Sequence, residues 1–425
     1  MSARRLAVIG GGWAGLAAAV RATEAGHRVT LFEMAHHWGG RARSVDVDGL
    51  ALDNGQHILI GAYARTLALM ATVGADASAC LHRQPLELRY PDGRGLRMPA
   101  GPAWLVFGAA VARCVGWTWS DRLALLRAAA GWAMRGFACS PGMTVDDLCQ
   151  PLPPSVRQLL IDPLCVAALN TPAQHASGAV FLRVLHDALF SGAGSADLLL
   201  PRRPLGALLP VPAVRWLQSH GARLASGQRV ARLTRSGPGW QVDGEDFDGV
   251  VLACPAPEAA RLTLDHAPTW SAQARAMSYE PIVTVYLQCR QARLPCPMTA
   301  LVEAADAPAQ FAFDHGALGG APGVFAFVVS GARAWVDRGL DATGAAVLRQ
   351  ARRAFAPGTW PSPPTVLRVL AEKRATFRCT PDLLRPRAAV ASSLAAAGDY
   401  IDGPYPATLE GAVRSGETAA ALIGL

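Results

Sequence analysis

Hydrophobic and polar positions along this chain follow two periods, and the first thirty residues show the clearest pattern. An apolar run at 6–9 enters a turn containing three glycines, an alanine-rich segment continues to residue 25, and a second apolar run covers 29–32. Short apolar runs indicate buried strands, whereas a longer alanine-rich segment that ends at a glycine indicates a helix. The pattern therefore predicts a strand, a glycine turn, a helix and a second strand over residues 5–33.

The glycines of this turn, Gly10, Gly12 and Gly15, have the spacing of a dinucleotide-binding turn. Gly10 permits the tight turn, Gly12 lets a pyrophosphate approach the backbone, and Gly15 lets the helix pack on the strand. The start of the helix offers free N–H groups and the positive end of its dipole to phosphates. Glu33 follows Gly10 by 23 positions, where an acid holds a ribose hydroxyl. An acid there favours NAD or FAD over NADP.

A loop at 36–44 follows Glu33 directly, at the point where the chain must cross the dinucleotide. Gly39 and Gly40 permit close passage beside a ring, and Arg41 and Arg43 can bind phosphate with two parallel hydrogen bonds. A solvated basic turn is the alternative interpretation of this loop.

Further along the chain, the patterns predict helices and strands in alternating blocks. We expect helices at 104–137, 180–189, 342–355 and in the last residues up to 422, with a proline break at 151–154. We expect a hairpin of 228–233 with 239–242, and strands at 249–254, 282–287 and 324–330. A strand at 371–377 has a period of two, which places Lys373, Ala375 and Phe377 on one face and Glu372 and Arg374 on the other.

Composition narrows the class of protein and its compartment. The 425 residues are 51% hydrophobic, yet no run of 18 uncharged apolar residues occurs, so no membrane-spanning helix is predicted. The early glycine turn leaves no room for a cleavable signal peptide, and we expect a cytoplasmic protein. Nine cysteines show no CxxC pair and no zinc spacing, which indicates reduced thiols and no metal site.

The net charge of +8 is carried almost entirely by arginine, because Lys373 is the only lysine. No nucleic-acid motif accompanies this charge, so we expect no nucleic-acid partner. The segment 104–137 places Trp104, Trp117, Trp119 and Trp132 among arginines, as in helices that lie at a membrane surface. Such a stripe is also typical of an ordinary core. We expect peripheral association with the inner face of the cell membrane.

The motifs together resemble a known flavoprotein group. The glycine turn, Glu33, the GGRARS segment at 39–44 and the DNGQH segment at 53–57 resemble amine oxidases and carotenoid desaturases. Within that group, LDNGQHILIGAY at 52–63, LNTP at 169–172 and EKRATF at 372–377 are similar to the hydroxysqualene dehydroxylases, also called squalene-associated FAD-dependent desaturases.

The resemblance implies an α/β fold and a division of the chain into interleaved domains. A Rossmann-like FAD-binding domain of the amine-oxidase type alternates with a substrate domain of mixed sheet plus a helical insertion. The expected FAD-binding segments are 1–75, 216–265 and 386–425, and the expected substrate-domain segments are 76–215, with the membrane-facing insertion, and 266–385.

The resemblance also implies the roles of single residues toward FAD. The backbone at Val230 is expected to contact the adenine, Asp399 to hold the ribityl chain or pyrophosphate, and the last helix to point its N-terminus at the flavin ring. The full expected FAD site is Gly10, Gly12, Ala14, Gly15, Glu33, Gly40, Arg41, Arg43, Gly55, Val230, Gly398, Asp399, Leu409 and Glu410.

The implied reaction converts hydroxysqualene and reduced FAD into squalene, water and oxidised FAD. It requires an acid for the allylic hydroxyl, an apolar cavity and a hydride donor. Candidate catalytic residues are Lys373, Glu372, Asp197 and His57, with Asp53 as a further candidate acid; for each, a structural role is the alternative.

The sequence contains one dinucleotide fingerprint and no second one for a nicotinamide, so the flavin is expected to receive electrons from a separate donor. The expected substrate is an apolar C30 isoprenoid. Three other interpretations remain: a carotenoid or phytoene-type desaturase, an amine oxidase of the same fold, and a non-enzymatic prenyl-lipid carrier. The carrier is disfavoured because it does not need a complete flavin site.

Overall fold

The computed structural model describes residues 3–424, with residue 103 described by its backbone alone. The strands are β1 (Arg5–Ile9), β2 (Arg28–Glu33), β3 (Ser44–Val47), β4 (Leu50–Asp53), β5 (Leu59–Ile60), β6 (Leu81–Gln84), β7 (Glu87–Arg89), β8 (Gly95–Arg97), β9 (Leu198–Pro201), β10 (Arg223–Ser226), β11 (Leu233–Ser236), β12 (Gly239–Val242), β13 (Glu245–Phe247), β14 (Gly249–Leu252), β15 (Tyr279–Gln288), β16 (Met298–Ala300), β17 (Phe311–Asp314), β18 (Val324–Val329), β19 (Thr365–Phe377), β20 (Ala389–Ala391) and β21 (Leu394–Ala396).

The helices alternate with these strands. They are α1 (Trp13–Glu24), α2 (Ala64–Thr72), α3 (Ala77–Cys80), α4 (Ala103–Ala112), α5 (Trp119–Met134), α6 (Val145–Cys149), α7 (Pro154–Val156), α8 (Asp162–Leu169), α9 (Gly178–Phe190), α10 (Leu205–Leu208), α11 (Pro210–Ser219), α12 (Ala256–Thr263), α13 (Pro268–Arg275), α14 (Arg333–Arg338), α15 (Leu340–Ala354) and α16 (Leu409–Gly424). A π-helical segment, Arg157–Ile161, joins α7 to α8.

A six-stranded sheet of order β10-β2-β1-β14-β21-β20 forms the first layer. Neighbouring strands from β10 to β21 run parallel, and only β20 is antiparallel. Its apolar strands are buried between helices, as parallel sheets require. Helices α1 and α16 pack so closely that a Cβ added to Gly416 would lie 2.1 Å from the carbonyl oxygen of Ala14. The predicted α/β fold with a Rossmann-like domain is therefore confirmed.

A five-stranded antiparallel sheet of order β16-β17-β18-β15-β19 forms the second layer. Along β15, Val283, Val285 and Leu287 belong to a core shared with α15, whereas Tyr286 belongs to the large core shared with the helices between α4 and α9. We call the face of β15 that carries Ile282, Thr284 and Tyr286 the inner face. The strands of the two large sheets come from the segments predicted for the two domains, while the exact boundaries stay a prediction.

Two local predictions about strands were wrong. The hairpin strand runs from Leu233 to Ser236 and not over 228–233, because the carboxylate of Asp243 accepts hydrogen bonds from the amides of Ala231 and Arg232. These amides are therefore not free for a strand ladder.

The alternation predicted for 371–377 is interrupted by a bulge. Glu280 pairs with Thr376 and Ile282 with Glu372, so residues 373–375 lie opposite the single residue Pro281. Proline has no N–H for the ladder, which is why bulges form beside it.

The tryptophan stripe at 104–137 is divided between core and surface. Trp117 and Trp132 are buried, whereas Trp104 and Trp119 are exposed. No helix within the described residues is long and apolar enough to cross a membrane.

Candidate functional site

In the glycine turn between β1 and α1, close contacts of the fold require two of the three glycines and leave the third unexplained. A Cβ at Gly10 would lie 2.5 Å from the carbonyl oxygen of Ala253, and one at Gly15 would lie 1.8 Å from that of Gly10. Gly12 caps α1 with φ −76°, which any residue adopts, and a Cβ there would meet only the Cα of Gly40, at 3.9 Å. No contact within the described residues requires glycine at position 12. A pyrophosphate lying against that backbone would require it, because a side chain would occupy the same space.

Glu33 and the crossing loop flank this turn. The Glu33 carboxylate accepts hydrogen bonds from the amides of Gly11 at 2.7 Å and Ala35 at 2.8 Å, and each oxygen keeps a lone pair for a ribose hydroxyl. Gly39 donates its N–H to the Gly11 carbonyl, so the loop crosses directly over the turn. The amide of Gln228 donates to the Glu33 carbonyl, which holds the segment leading to Val230 beside it.

Four residues that lie far apart in the sequence meet at the junction of the two large sheets, and we call them the junction cluster: Arg41, Asn54, Glu372 and Asp399. The Arg41 guanidinium donates to Asp399 Oδ1 at 2.5 Å. The Asn54 side-chain amide donates to the Arg41 carbonyl and to Glu372 Oε2, both at 3.2 Å. The structure thus joins the GGRARS, DNGQH, EKRATF and GD segments.

The Arg41 side chain has a more definite role than the sequence indicated. Its Nη1 donates to the carbonyl oxygens of Arg374 and Ala375, at 2.9 and 2.8 Å, and both residues belong to the bulge of β19. The same guanidinium also donates to Asp399. Arg41 therefore connects the substrate-domain sheet with the predicted FAD site. Arg43 donates to the Gly40 carbonyl at 3.2 Å.

Asp399 is connected to the last helix through its neighbour. Gly398 has φ +155°, and a Cβ there would clash with the Tyr400 ring, so glycine is required. Its N–H donates to Ser415 Oγ on α16 at 2.8 Å. The carboxylate of Asp399 is thereby fixed beside the helix whose N-terminus is predicted to face the flavin.

Unpartnered polar atoms mark the space beside the junction cluster. Gln56 Oε1, Thr284 Oγ1 and the Tyr279 hydroxyl are buried without a hydrogen-bond partner among the described residues. Leaving a buried polar group unpaired costs about 1–3 kcal/mol, so such groups indicate a bound molecule. FAD, with its many donors and acceptors, fits Gln56, Tyr279 and the open space above Gly12.

Burial alters the proton affinities of both His57 and Asp53. Burial lowers the pKa of His57, which favours the neutral imidazole and argues against it as the resting acid. Burial raises the pKa of Asp53 to about 6, but its carboxylate accepts hydrogen bonds from Ser44 Oγ and the Leu205 amide. Asp53 therefore serves to join β3, β4 and α10.

Other predicted site residues lie apart from the junction cluster. Asp197 pairs with Arg83 at 2.7 Å on the surface, and Lys373 is exposed in the bulge of β19. Glu410 is fully buried, and its carboxylate accepts hydrogen bonds from the amides of Arg65 and Thr66 at the start of α2. This carboxylate caps α2, and Leu409 packs beside it in the core around α1 and α16. Contacts of these four residues with substrate or cofactor stay predictions.

Sequence reasoning missed the roles of Asn54, Thr284 and Asn170. Asn54 stands within the DNGQH motif that carried the resemblance, so the signal was present. Thr284 is a polar residue in an otherwise apolar run at 282–285. Asn170 has φ +48°, and its amide bonds to Glu280, Thr376 and Gly331, which no local pattern indicates.

A family model described as flavin-containing amine oxidoreductase matches residues 13–424 of this chain. The chain belongs to this family. It is an FAD-dependent oxidoreductase, and the junction cluster and the glycine turn are where the family's cofactor fits the observed geometry.

Among named relatives, hydroxysqualene dehydroxylases match almost the whole chain. The protein from Rhodopseudomonas palustris is 28% identical over 98% of this chain and 97% of its own, and that from Zymomonas mobilis is 27% identical over 98% of both chains. A zeta-carotene desaturase from Synechocystis is 43% identical, but over 21% of this chain and 19% of its own.

Solved structures show the same fold at low sequence identity. An oxidoreductase from Methanosarcina mazei has a TM-score of 0.76 at 15% identity, covering 98% of this chain and all of the other. Cyclohexylamine oxidase from Brevibacterium oxydans has a TM-score of 0.71 at 16% identity, covering 100% and 99%. At these identities the likeness concerns the fold alone.

Proposed function

We propose that this flavoprotein removes the hydroxyl group of hydroxysqualene by reduction, forming squalene and water. The observation that carries the proposal is the reach of the similarity: proteins named hydroxysqualene dehydroxylase match 98% of this chain, whereas the named carotenoid desaturase from Synechocystis matches 21%. A similarity that includes the substrate domain supports a shared substrate class more strongly than one limited to part of the chain.

The contacts of the LNTP and EKRATF segments support the same proposal. The Asn170 side-chain amide of LNTP donates to Thr376 Oγ1 of EKRATF at 3.0 Å and to the Glu280 carbonyl at 3.2 Å. The two segments therefore fix the helices of the substrate domain onto the strand that carries Glu372. Around them lies a large apolar core, whose side chains would supply the apolar lining that a C30 hydrocarbon chain requires.

The reaction breaks a C–O bond and forms a C–H bond, so it consumes one hydride and one proton for each water released. Bound FAD supplies the hydride chemistry. The protein must hold the alcohol, keep water from the cationic carbon and protonate the departing hydroxyl. Glu372 is our candidate for the proton donor, because it is the candidate carboxylate that lies in the junction cluster.

The oxidised cofactor must be reduced again before the next turnover. The sequence has one dinucleotide fingerprint, at 10–15, so we propose that a separate reduced protein or small molecule supplies two electrons.

The reaction can be tested by photoreducing the flavin without oxygen and adding hydroxysqualene. We expect the yellow flavin absorption to return within a single turnover, with squalene formed in equal amount to flavin. Oxidised enzyme given the same substrate serves as the control and is expected to form no squalene. Reduced enzyme that leaves hydroxysqualene unchanged, together with oxidised enzyme that bleaches on adding phytoene, would establish a desaturase instead.

We also propose that α4 and α5 bind a membrane surface, which would give the enzyme access to its apolar substrate. Several of their large apolar side chains are exposed: Trp104 by 57%, Leu105 by 58%, Trp119 by 75% and Met134 by 84%. The Arg122 guanidinium lies 4.7 Å from the centre of the Trp119 ring. Exposed tryptophans beside arginines suit the interface of an anionic bilayer, because each can remain partly hydrated.

The double variant Trp104→Ser, Trp119→Ser is expected to lower binding to anionic vesicles at least tenfold in a flotation assay. Each exposed tryptophan that leaves water contributes about 1.5–3 kcal/mol, so losing two has a large effect. The matched control is Leu384→Ser, Leu422→Ser, which removes exposed apolar side chains outside α4 and α5. Equal flotation of both double variants and the wild type would contradict the proposal.

A further inference from the structure

Thr284 places a hydroxyl group on the inner face of β15 without a partner. Its side chain is 1% exposed, and Oγ1 makes no hydrogen bond within the described residues. Its antiparallel neighbours in the sheet, Val328 and Leu370, offer no polar side chain to it. Threonine is thus a costly choice at a position where valine would have the same shape.

Thr284 Oγ1 lies beside Gly55, next to the point where a side chain of that residue would stand. A Cβ added to Gly55 would lie 4.0 Å from Thr284 Oγ1 and 3.9 Å from Cε1 of His57, so both side chains border the same point. Gly55 has φ +102°, a conformation that favours glycine, so no side chain occupies this point.

His57 presents a complementary atom to the same space. Its Nδ1 lies 2.9 Å from the Gly55 carbonyl oxygen, and because a carbonyl only accepts, Nδ1 must carry the proton. In the neutral ring Nε2 is then an acceptor, and it has no partner in the part of the chain that the structure describes. Burial lowers the pKa of His57 and so favours this neutral form.

We propose that Thr284 and His57 form a subsite that binds the hydroxyl group of the substrate, with the Thr284 hydroxyl donating to the alcohol oxygen and His57 Nε2 accepting from the alcohol proton. The inference rests on the proposed function and names the residues that would recognise an alcohol there. A donor and an acceptor on either side of one gap match an alcohol, which has both.

The same geometry distinguishes an alcohol from a hydrocarbon. A hydrocarbon in this gap would leave the buried Thr284 hydroxyl and the acceptor Nε2 of His57 unpaired, and sites that bind a hydroxyl reject analogues lacking it for that reason. The subsite therefore predicts selectivity for the alcohol over squalene, which allows the product to leave.

The test compares binding of hydroxysqualene and squalene to the oxidised holoenzyme, followed by the change in flavin absorption. The wild type is expected to bind the alcohol about tenfold more tightly, equivalent to about 1.4 kcal/mol. Thr284→Val keeps the shape and is expected to lose this preference, whereas Thr284→Ser is expected to retain it. Thr299→Val is the matched control, because Thr299 is a buried threonine on the edge strand β16 of the same sheet, and its hydroxyl has no partner among residues 3–424.

Three outcomes would overturn the subsite. They are an unchanged preference in Thr284→Val, an equal loss in Thr299→Val, and a weaker FAD affinity in Thr284→Val, which would assign the hydroxyl to the cofactor. If Thr284→Val is unstable, Thr284→Ala gives the same comparison. Because binding is measured without turnover, failure of the reaction itself would appear separately, as reduced wild type that does not convert hydroxysqualene.

Discussion

Gly12→Val is expected to yield a folded protein that purifies without flavin. The described chain leaves the position above Gly12 open, and the backbone there has φ −76°, so valine meets neither strain nor a clash with backbone. A pyrophosphate lying against this N–H group would overlap the added side chain. We expect a loss of FAD affinity of at least a hundredfold, measured as the flavin-to-protein absorbance ratio and by titration of the apoprotein with FAD.

Two other glycines make this prediction specific. Gly15→Val places a Cβ 1.8 Å from the Gly10 carbonyl oxygen and is expected to prevent folding. Gly108→Val, in α4, meets no neighbour within 4 Å and is expected to purify fully yellow. A Gly12→Val protein with the flavin content of Gly108→Val would show that the pyrophosphate lies elsewhere.

The parts of the fold that could be predicted from the sequence are those whose pattern is local. The β1–α1–β2 unit follows from two short apolar runs, an alanine-rich segment and three glycines, and its observed bounds differ from the predicted ones by one or two residues. The same holds for α15, since its apolar and polar positions repeat with a helical period.

Features that depend on distant residues could not be predicted in this way. The side chain of Asp243 replaces the ladder at 231–232, and Pro281 on β15 causes the bulge in β19, although neither residue adjoins the segment it changes. The tryptophans at 104–137 look alike in the sequence, but their burial depends on which side of α4 and α5 meets the rest of the domain. The local sequence pattern does not indicate which side of these helices is buried.

The candidate site shows the same division. Spacing predicts the glycine turn and Glu33, but the pairing of Arg41 with Asp399 joins residues 358 positions apart. Glu410 is predicted at the flavin because it lies in the first turn of the last helix, and the sequence does not indicate that its carboxylate also caps α2. A carboxylate at the end of one helix can cap another, and the sequence alone does not say which helix end it meets.

Asn170→Asp is expected to lower the free energy of unfolding by about 4 kcal/mol at pH 8, because a buried carboxylate cannot donate to the Glu280 carbonyl and its charge has no cationic partner in this contact. In the native protein Asn170 Nδ2 donates to the Glu280 carbonyl and Thr376 Oγ1, and Oδ1 accepts from the Gly331 amide at 2.7 Å. A carboxylate keeps the last of these bonds but turns an oxygen toward the Glu280 carbonyl. Denaturant unfolding measures the change.

The dependence on pH separates this cause from a simple loss of packing. The buried carboxyl of Asn170→Asp should have a pKa above the unfolded value of about 3.9, because its protonated form can donate to the Glu280 carbonyl. As pH falls through that raised pKa, the folded variant binds more protons than the unfolded chain, which stabilises the folded state. Its loss of unfolding free energy relative to wild type therefore becomes smaller as pH falls from 8 toward 5, and we call this loss its deficit. Asn170→Gly is the control: glycine tolerates the φ of +48° and has nothing to titrate, so its deficit should stay constant. If the two deficits change with pH in parallel, the side-chain amide of Asn170 is not what joins the LNTP segment to β15 and β19.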